Sequence, residues 1–309
     1  MSREAPGGGI VSRRAETDRE AEVEGVGGVN APRGVRLAYT VMSPEADERQ
    51  EFAYDGPFAE AIRRLADIGY DGVELQVASP AKLDAERLVR ELSGVGLAVA
   101  ALATGPLAAG GASMCEVEPA AREAVLGQLR TLVDRAAVLG TRVSLGRILD
   151  NAPDRTVDPR DRMEQTARML RELADYGDER GVRLLVEPQN RASTDLVNTI
   201  DDARTLIAAT GRANIGVIGD TYHLALTEGS AVEAFESAGP LLEHVQFGDT
   251  GRGSPGTGDM PFPDVVAVLD RLGYRGWITL EHAQDRGDRT AELSYQFVSS
   301  LSLVGQGER

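Results

Sequence analysis

From Gly34 onward the chain repeats one pattern: a short β-prone apolar run, a polar or Gly-containing loop, then a stretch with apolar residues every three or four positions. The apolar runs predict strands at Val35–Thr40, Gly72–Gln76, Leu97–Ala103, Arg142–Gly146, Arg183–Glu187, Ile215–Asp220, His244–Phe247 and Trp277–Glu281. Helical spacing, as in Ala61, Leu65 and Ile68, predicts helices at Pro57–Ile68, Ala85–Leu92, Ala120–Leu139, Asp161–Arg180, Ile200–Thr210 and Pro263–Leu272. Gly69, Gly140, Gly181, Gly211 and Gly273 stand where these helices must stop.

Strand and helix alternating at about thirty-residue spacing call for right-handed βαβ units and an all-parallel sheet. An open doubly wound sheet would place a Gly-rich turn after its first strand. Here Val41-Met42-Ser43-Pro44 follows instead, which is no phosphate cradle. Eight units therefore predict an α/β protein built as a single (β/α)8 TIM barrel. The barrel is assigned to residues 34–309. Residues 1–33, rich in Gly, Glu and Arg and lacking the apolar core of a signal peptide, read as a disordered N-terminal extension.

Charge removes whole classes of partner. A formal net charge of -16 opposes a nucleic-acid partner, whose phosphates are bound by Lys and Arg, and opposes docking on an anionic membrane. No apolar run approaches the ~20 residues of a membrane helix. The single cysteine, Cys115, cannot form an intramolecular disulfide and reads as a small buried hydrophobe in a cytoplasmic protein. Lys82 is the only lysine and falls just ahead of a helix, so Schiff-base chemistry in the barrel mouth is not supported.

The chemistry gathers at four successive strand ends. Strand five ends in Val186-Glu187-Pro188, strand six in Ile218-Gly219-Asp220, strand seven reads His244-Val245-Gln246-Phe247, and strand eight closes with Leu280-Glu281. Glu187, Asp220, Gln246 and Glu281 are spaced by 33, 26 and 35 residues, each about one βα unit. Parallel strands of a closed barrel end on one rim, so the four side chains can converge. Alone, each acid reads as a helix cap or a solvated loop residue. Together, three carboxylates and an amide oxygen form a hard donor set suited to one divalent metal ion such as Mn2+, Mg2+ or Co2+, and without a cation the carboxylates would repel one another.

These residues resemble the xylose-isomerase-like barrels that include D-tagatose and D-psicose 3-epimerases and hydroxypyruvate isomerase. The resemblance spans about Gly34 to Leu303. It is carried by Gly69-Tyr70-Asp71-Gly72-Val73-Glu74-Leu75, Val186-Glu187-Pro188-Gln189-Asn190-Arg191, Asp220-Thr221-Tyr222-His223, His244-Val245-Gln246, Arg252-Gly253-Ser254-Pro255-Gly256-Thr257-Gly258 and Glu281. It implies that Glu187, Asp220, Gln246 and Glu281 hold the metal, that Glu187 and Glu281 are the acid–base pair, and that His223 and Arg252 contact substrate oxygens. It also implies a homodimer or homotetramer. Two positions depart from the ketose 3-epimerases: they carry His where this chain has Gln246, as the hydroxypyruvate isomerase branch does not, and Glu where it has Ser193.

The implied reaction is proton transfer through an enediolate of a small sugar or other polyhydroxy carbonyl compound. Two alternatives stay open: elimination by the same base and metal on a keto-sugar, inosose or C-glycoside, and a non-catalytic sugar-binding accessory subunit. The related apurinic-site endonucleases need a histidine-rich zinc site and a basic surface, against three histidines and the acidic charge here. Of the remaining candidates, the parity of His244 with Gln246 turns it into the barrel interior as a supporting residue. His282 reads as a rim residue. Glu74 reads equally as a pocket residue or a helix cap. The Gly251–Asp259 loop reads as a flexible pocket loop carrying Arg252.

Overall fold

A computed structural model describes residues 34–301 apart from residue 48 and residues 152–156. The extension expected over residues 1–33 lies outside the described residues. Eight strands, β1 (Arg36–Met42), β2 (Gly72–Gln76), β3 (Ala98–Ala103), β4 (Val143–Leu145), β5 (Leu184–Val186), β6 (Ile215–Asp220), β7 (Leu242–Phe247) and β8 (Trp277–Leu280), form one closed barrel. Every neighbour is parallel, and β1 pairs with β8 to close the ring.

Among the described residues ten helices surround it: α1 (Phe58–Ile68), α2 (Ala85–Gly94), α3 (Gly105–Ala109), α4 (Pro119–Leu139), α5 (Pro159–Asp178), α6 (Ile200–Thr210), α7 (Thr221–Glu228), α8 (Ala231–Ala238), α9 (Phe262–Arg271) and α10 (Thr290–Ser300). None of them is long and apolar enough to cross a membrane. Their starts follow local chemistry. Thr199 and Asp202 form a reciprocal capping box on α6, and Asp84 and Ser230 cap α2 and α8. Pro119 and Pro159 open α4 and α5, where a missing N–H costs nothing. Gly69 ends α1 at a φ of 112° that a side chain would resist.

The main core is a large shell of buried Leu, Val, Ile and Ala between barrel and helices, with Tyr39, Phe235, Phe247 and Phe262 as its largest buried rings. Burying each such side chain is worth about 1.5–3 kcal/mol relative to exposure. The barrel interior is different at its C-terminal end. There Thr40, Glu74, Gln76, Ser144, His244, Gln246 and Thr279 are all buried, which concentrates polar atoms on the face where barrel enzymes keep their sites.

Candidate active site

The strand register brings the acid and amide groups together. Asp220 is the register partner of Gln246 across β6 and β7, so their side chains leave adjacent backbones at the same height. Glu187 and Glu281 stand one residue past β5 and β8, each still tied to the ladder: the Glu187 N–H donates to the Leu145 carbonyl at 3.0 Å, and the Glu281 N–H to the Phe247 carbonyl at 3.1 Å. Gly146, at the end of β4, makes room for the first acid, because a Cβ there would collide with Glu187 Oε2.

One cavity takes in Glu187, Gln246, Glu281, His223 and Arg252, with Gln50 and Phe52 from the loop after β1 and Gln76 and Ser193 also on its wall. Its volume is ≈ 190 Å³, below the ~300–1,000 Å³ of drug-sized sites, which suits a small polar molecule. Asp220, 1% exposed, is not on its wall.

Asp220 Oδ1 accepts the His223 N–H at 3.0 Å and so caps α7, a helix the periodicity did not predict. Asp220 Oδ2 and Gln246 Oε1 are both buried and both lack a hydrogen-bond partner. Orphaned buried oxygens carry a desolvation cost of about 1–3 kcal/mol each. A cation would supply what they lack, and the oxygen donor set suits one. Donor atoms of Glu187, Asp220 and His223 also lie within 4.8 Å of one another. That compact trio brings in His223, expected only as a substrate contact, while Glu281 lies outside it on the same cavity wall.

Glu281 is held from two sides. Arg252 Nη2 stands 3.0 Å from its Oε2, and Gln76 Nε2 donates to its Oε1 at 3.1 Å. Burial pushes the Glu281 carboxyl up to about 8; Arg252 opposes the rise, and Glu74 and Asp220 add to it. Burial, then the charges of Glu281 and Asp220, raises Glu187 well above the carboxylate range. Burial lowers the Arg252 guanidinium, but Glu281, Asp220 and Glu187 outweigh it and the net shift is upward. Burial drops His223 to about 4, so its ring is neutral near pH 7. Its Nδ1 accepts the Asn190 N–H at 3.2 Å, while Arg252 Nη1 approaches Nε2 at 3.0 Å.

A model of the xylose isomerase-like TIM barrel matches residues 62–299. The chain belongs to that family. Among xylose isomerase-like barrels, the D-psicose 3-epimerase of Agrobacterium fabrum is 32% identical over 109 residues, which covers 35% of this chain and 38% of that protein. The D-psicose 3-epimerase of Ruminiclostridium cellulolyticum is 26% identical over 257 residues, 80% of this chain and 82% of its own. The solved D-psicose 3-epimerase with D-tagatose from Clostridium cellulolyticum H10 superposes with a TM-score of 0.74 at 20% identity, covering 88% of this chain and all of that one, a likeness of fold.

Several residues of this xylose isomerase-like site differ from their sequence reading. Glu74, open between pocket residue and helix cap, turns inward, with its two oxygens 2.8 Å from Gln246 Nε2 and His244 Nε2, and the next helix, α2, is capped by Asp84 instead. His282 is no exposed rim residue: it is 0% exposed, packed edge-on against Tyr39 at 5.4 Å. The loop around Arg252, expected to be flexible, is laced to buried Asp249, whose carboxylate accepts the N–H groups of Thr250, Gly256, Thr257 and Met260. Asp249 was missed; its place two residues past β7, ahead of a Gly-rich loop, was the available signal. Phe52, stacked on Arg252 at 4.6 Å, lies in a loop with no periodicity to betray it. Cys115 is buried against Ser113 and Asp150, with burial pushing its thiol up to about 11. Lys82 is exposed and off the cavity.

Proposed function

We propose that this protein is a divalent-metal-dependent epimerase or isomerase of a small polyhydroxy carbonyl compound, with Glu187 and Glu281 as its proton-transfer pair. One observation carries the reading: two acids with raised pKa values, Glu187 and Glu281, share a small polar cavity with the unpartnered Gln246 Oε1, and Asp220, with an unpartnered oxygen of its own, clusters with Glu187. The likeness in sequence to D-psicose 3-epimerases supports the same class.

Glu187, Asp220, Gln246 and Glu281 would hold the ion, with His223 close enough to join or to bind substrate. When bound, a divalent ion acidifies the C–H beside a chelated carbonyl and stabilises the enediolate. The chain's own residues do the rest. Glu187 and Glu281 take and return the proton, and Arg252 and Gln76, each against one oxygen of Glu281, hold that carboxyl in place as its charge changes. Carboxylates serving opposite faces of the planar intermediate invert a centre; one carboxylate serving adjacent carbons moves the carbonyl. Arg252, beside Glu281 and stacked on Phe52, supplies fixed N–H donors toward substrate oxygens and helps exclude water from the acid.

The departure at Ser193 bears on the substrate rather than on the proton transfer, while that at Gln246 falls on a proposed metal ligand. Ser193 lines the cavity where the ketose 3-epimerases carry Glu, so a substrate hydroxyl there meets a neutral side chain. A panel of ketoses, inososes and hydroxypyruvate in D2O, with and without Mn2+, tests the proposal by NMR. Metal-dependent deuterium at the carbon beside the carbonyl, with an epimer or isomer as product, is the expected result. Exchange undiminished by exhaustive chelation would contradict it, and a product lacking water would turn the same site into a lyase.

A further inference from the structure

Gln246 is an unusual choice of ligand because its two ends are chemically opposite. Rotating the amide by half a turn replaces an acceptor oxygen with an N–H2 donor, and a donor aimed at a cation abolishes the contact. Something must fix the rotation. In this structure Gln246 Nε2 donates to Glu74 Oε1 at 2.8 Å, and Gln246 Oε1 is left buried with no partner. Glu74 sits on β2 and Gln246 on β7, so the bond crosses the barrel interior rather than joining neighbouring strands.

The Glu74 carboxylate has no freedom to do otherwise. It is 0% exposed, and its second oxygen lies 2.8 Å from His244 Nε2, which in turn lies 2.9 Å from Thr279 Oγ1 on β8. A carboxylate offers only acceptors, so His244, whose Nδ1 has no partner, must carry its proton on Nε2, and the Gln246 amide must show Glu74 its N–H2 end. We infer that Glu74 is a positioning residue: its carboxylate, pinned by His244, locks the Gln246 amide so that Oε1 faces the metal site. This rests on the metal-site reading above and adds a residue to which that reading gives no role.

Each substitution then has a definite outcome. In Glu74→Gln, the new side chain must give its Oε1 to His244, so its Nε2 faces Gln246. Gln246 then turns its own Oε1 toward position 74 and its N–H2 into the site. In Gln246→Glu two carboxylates face each other across 2.8 Å of buried space. The exchanged pair Glu74→Gln/Gln246→Glu satisfies every group: the amide now at position 74 accepts from His244 and donates to the carboxylate now at position 246, whose other oxygen faces the ion.

The test is binding of Mn2+ alone, by calorimetry and by the Mn2+ EPR signal, with no substrate or turnover. Glu74→Gln should weaken Mn2+ binding about 10- to 100-fold, the range for lost supporting partners of a metal ligand. Gln246→Glu should also bind more weakly, and the exchanged double variant should recover to within a few-fold of wild type. Thermal melts of the metal-free proteins separate a folding defect from a ligand defect. Wild-type affinity in a folded Glu74→Gln, or an exchanged pair that melts like wild type yet binds no better than the single variants, would overturn the inference. If wild type itself binds no Mn2+, it is the metal-site reading that fails.

Discussion

Arg252 meets Glu281 at 3.0 Å from a backbone conformation that no other non-glycine residue shares among the described ones: its φ is 59°. Left-handed backbone at a residue with a Cβ costs about 1–3 kcal/mol. The loop maintains it through Asp249, which accepts four backbone N–H groups, and through the Arg252 N–H donating back to the Asp249 carbonyl at 2.9 Å. Strain at a residue whose guanidinium grips the proposed base is what a positioned substrate contact would look like.

That relationship predicts a separation of stability from activity. Arg252→Gly and Arg252→Ala both lose the guanidinium, and both should lower kcat/KM by about 10- to 100-fold, the size of a lost charge-assisted hydrogen bond. Only Gly relaxes the backbone, so Arg252→Gly should melt above Arg252→Ala. Equal melting temperatures would remove the strain argument, and unchanged kcat/KM would remove Arg252 from the site.

Asp220 should be the least replaceable of the proposed ligands. Its Oδ1 is committed to capping α7, and Asn can keep that bond through its carbonyl oxygen. Asp220→Asn should therefore fold with α7 intact while binding Mn2+ far more weakly, because the second oxygen becomes a donor and a full charge is lost. Wild-type Mn2+ affinity in Asp220→Asn, measured by calorimetry, would show that the ligand set is wrong.

Acid sensitivity follows from two histidines. Burial lowers both His223 and His282 to about 4 from an ordinary value of 6.5. Between those values the unfolded chain takes up protons that the folded chain refuses, so their contribution to stability is full above pH 6.5 and declines as pH falls toward 4. In metal-free protein the raised carboxyls of Glu187 and Glu281 act in the opposite direction, so the histidine contribution is read as a difference: as pH falls from 6.5 toward about 4, wild type should lose stability relative to His282→Gln. Denaturant midpoints followed from about pH 7 down to about pH 4 check this; identical slopes in wild type and His282→Gln would contradict the burial assignment.

Much of this architecture could be read from the chain alone. β2, β6 and α6 begin and end where periodicity placed them, since turn residues bracket them sharply. The missed α7 and α8 are short helices joined through Gly229, too brief for an apolar period to emerge. α10 was missed although its Thr290–Ser300 span buries only one face. Strand parity turned His244 and Gln246 inward, because alternation is strictly local. It could not tell that Glu74, 170 residues before His244, would face both of them, since that depends on barrel diameter and closure. His282 escaped for a related reason: its environment is Tyr39, on the strand that closes the ring.

Deuterium exchange by Gln variants of Glu187 and Glu281 tests most directly whether this pair moves the substrate proton. On the compound found by the D2O screen, each of Glu187→Gln and Glu281→Gln, loaded with Mn2+, should lower turnover by about 100- to 10,000-fold while leaving the fold intact. In a two-base epimerisation each variant should still wash deuterium into one epimer, and the two variants should do so from opposite epimers. In a one-base isomerisation a single variant should lose exchange entirely. Near wild-type turnover in both variants would contradict the assignment.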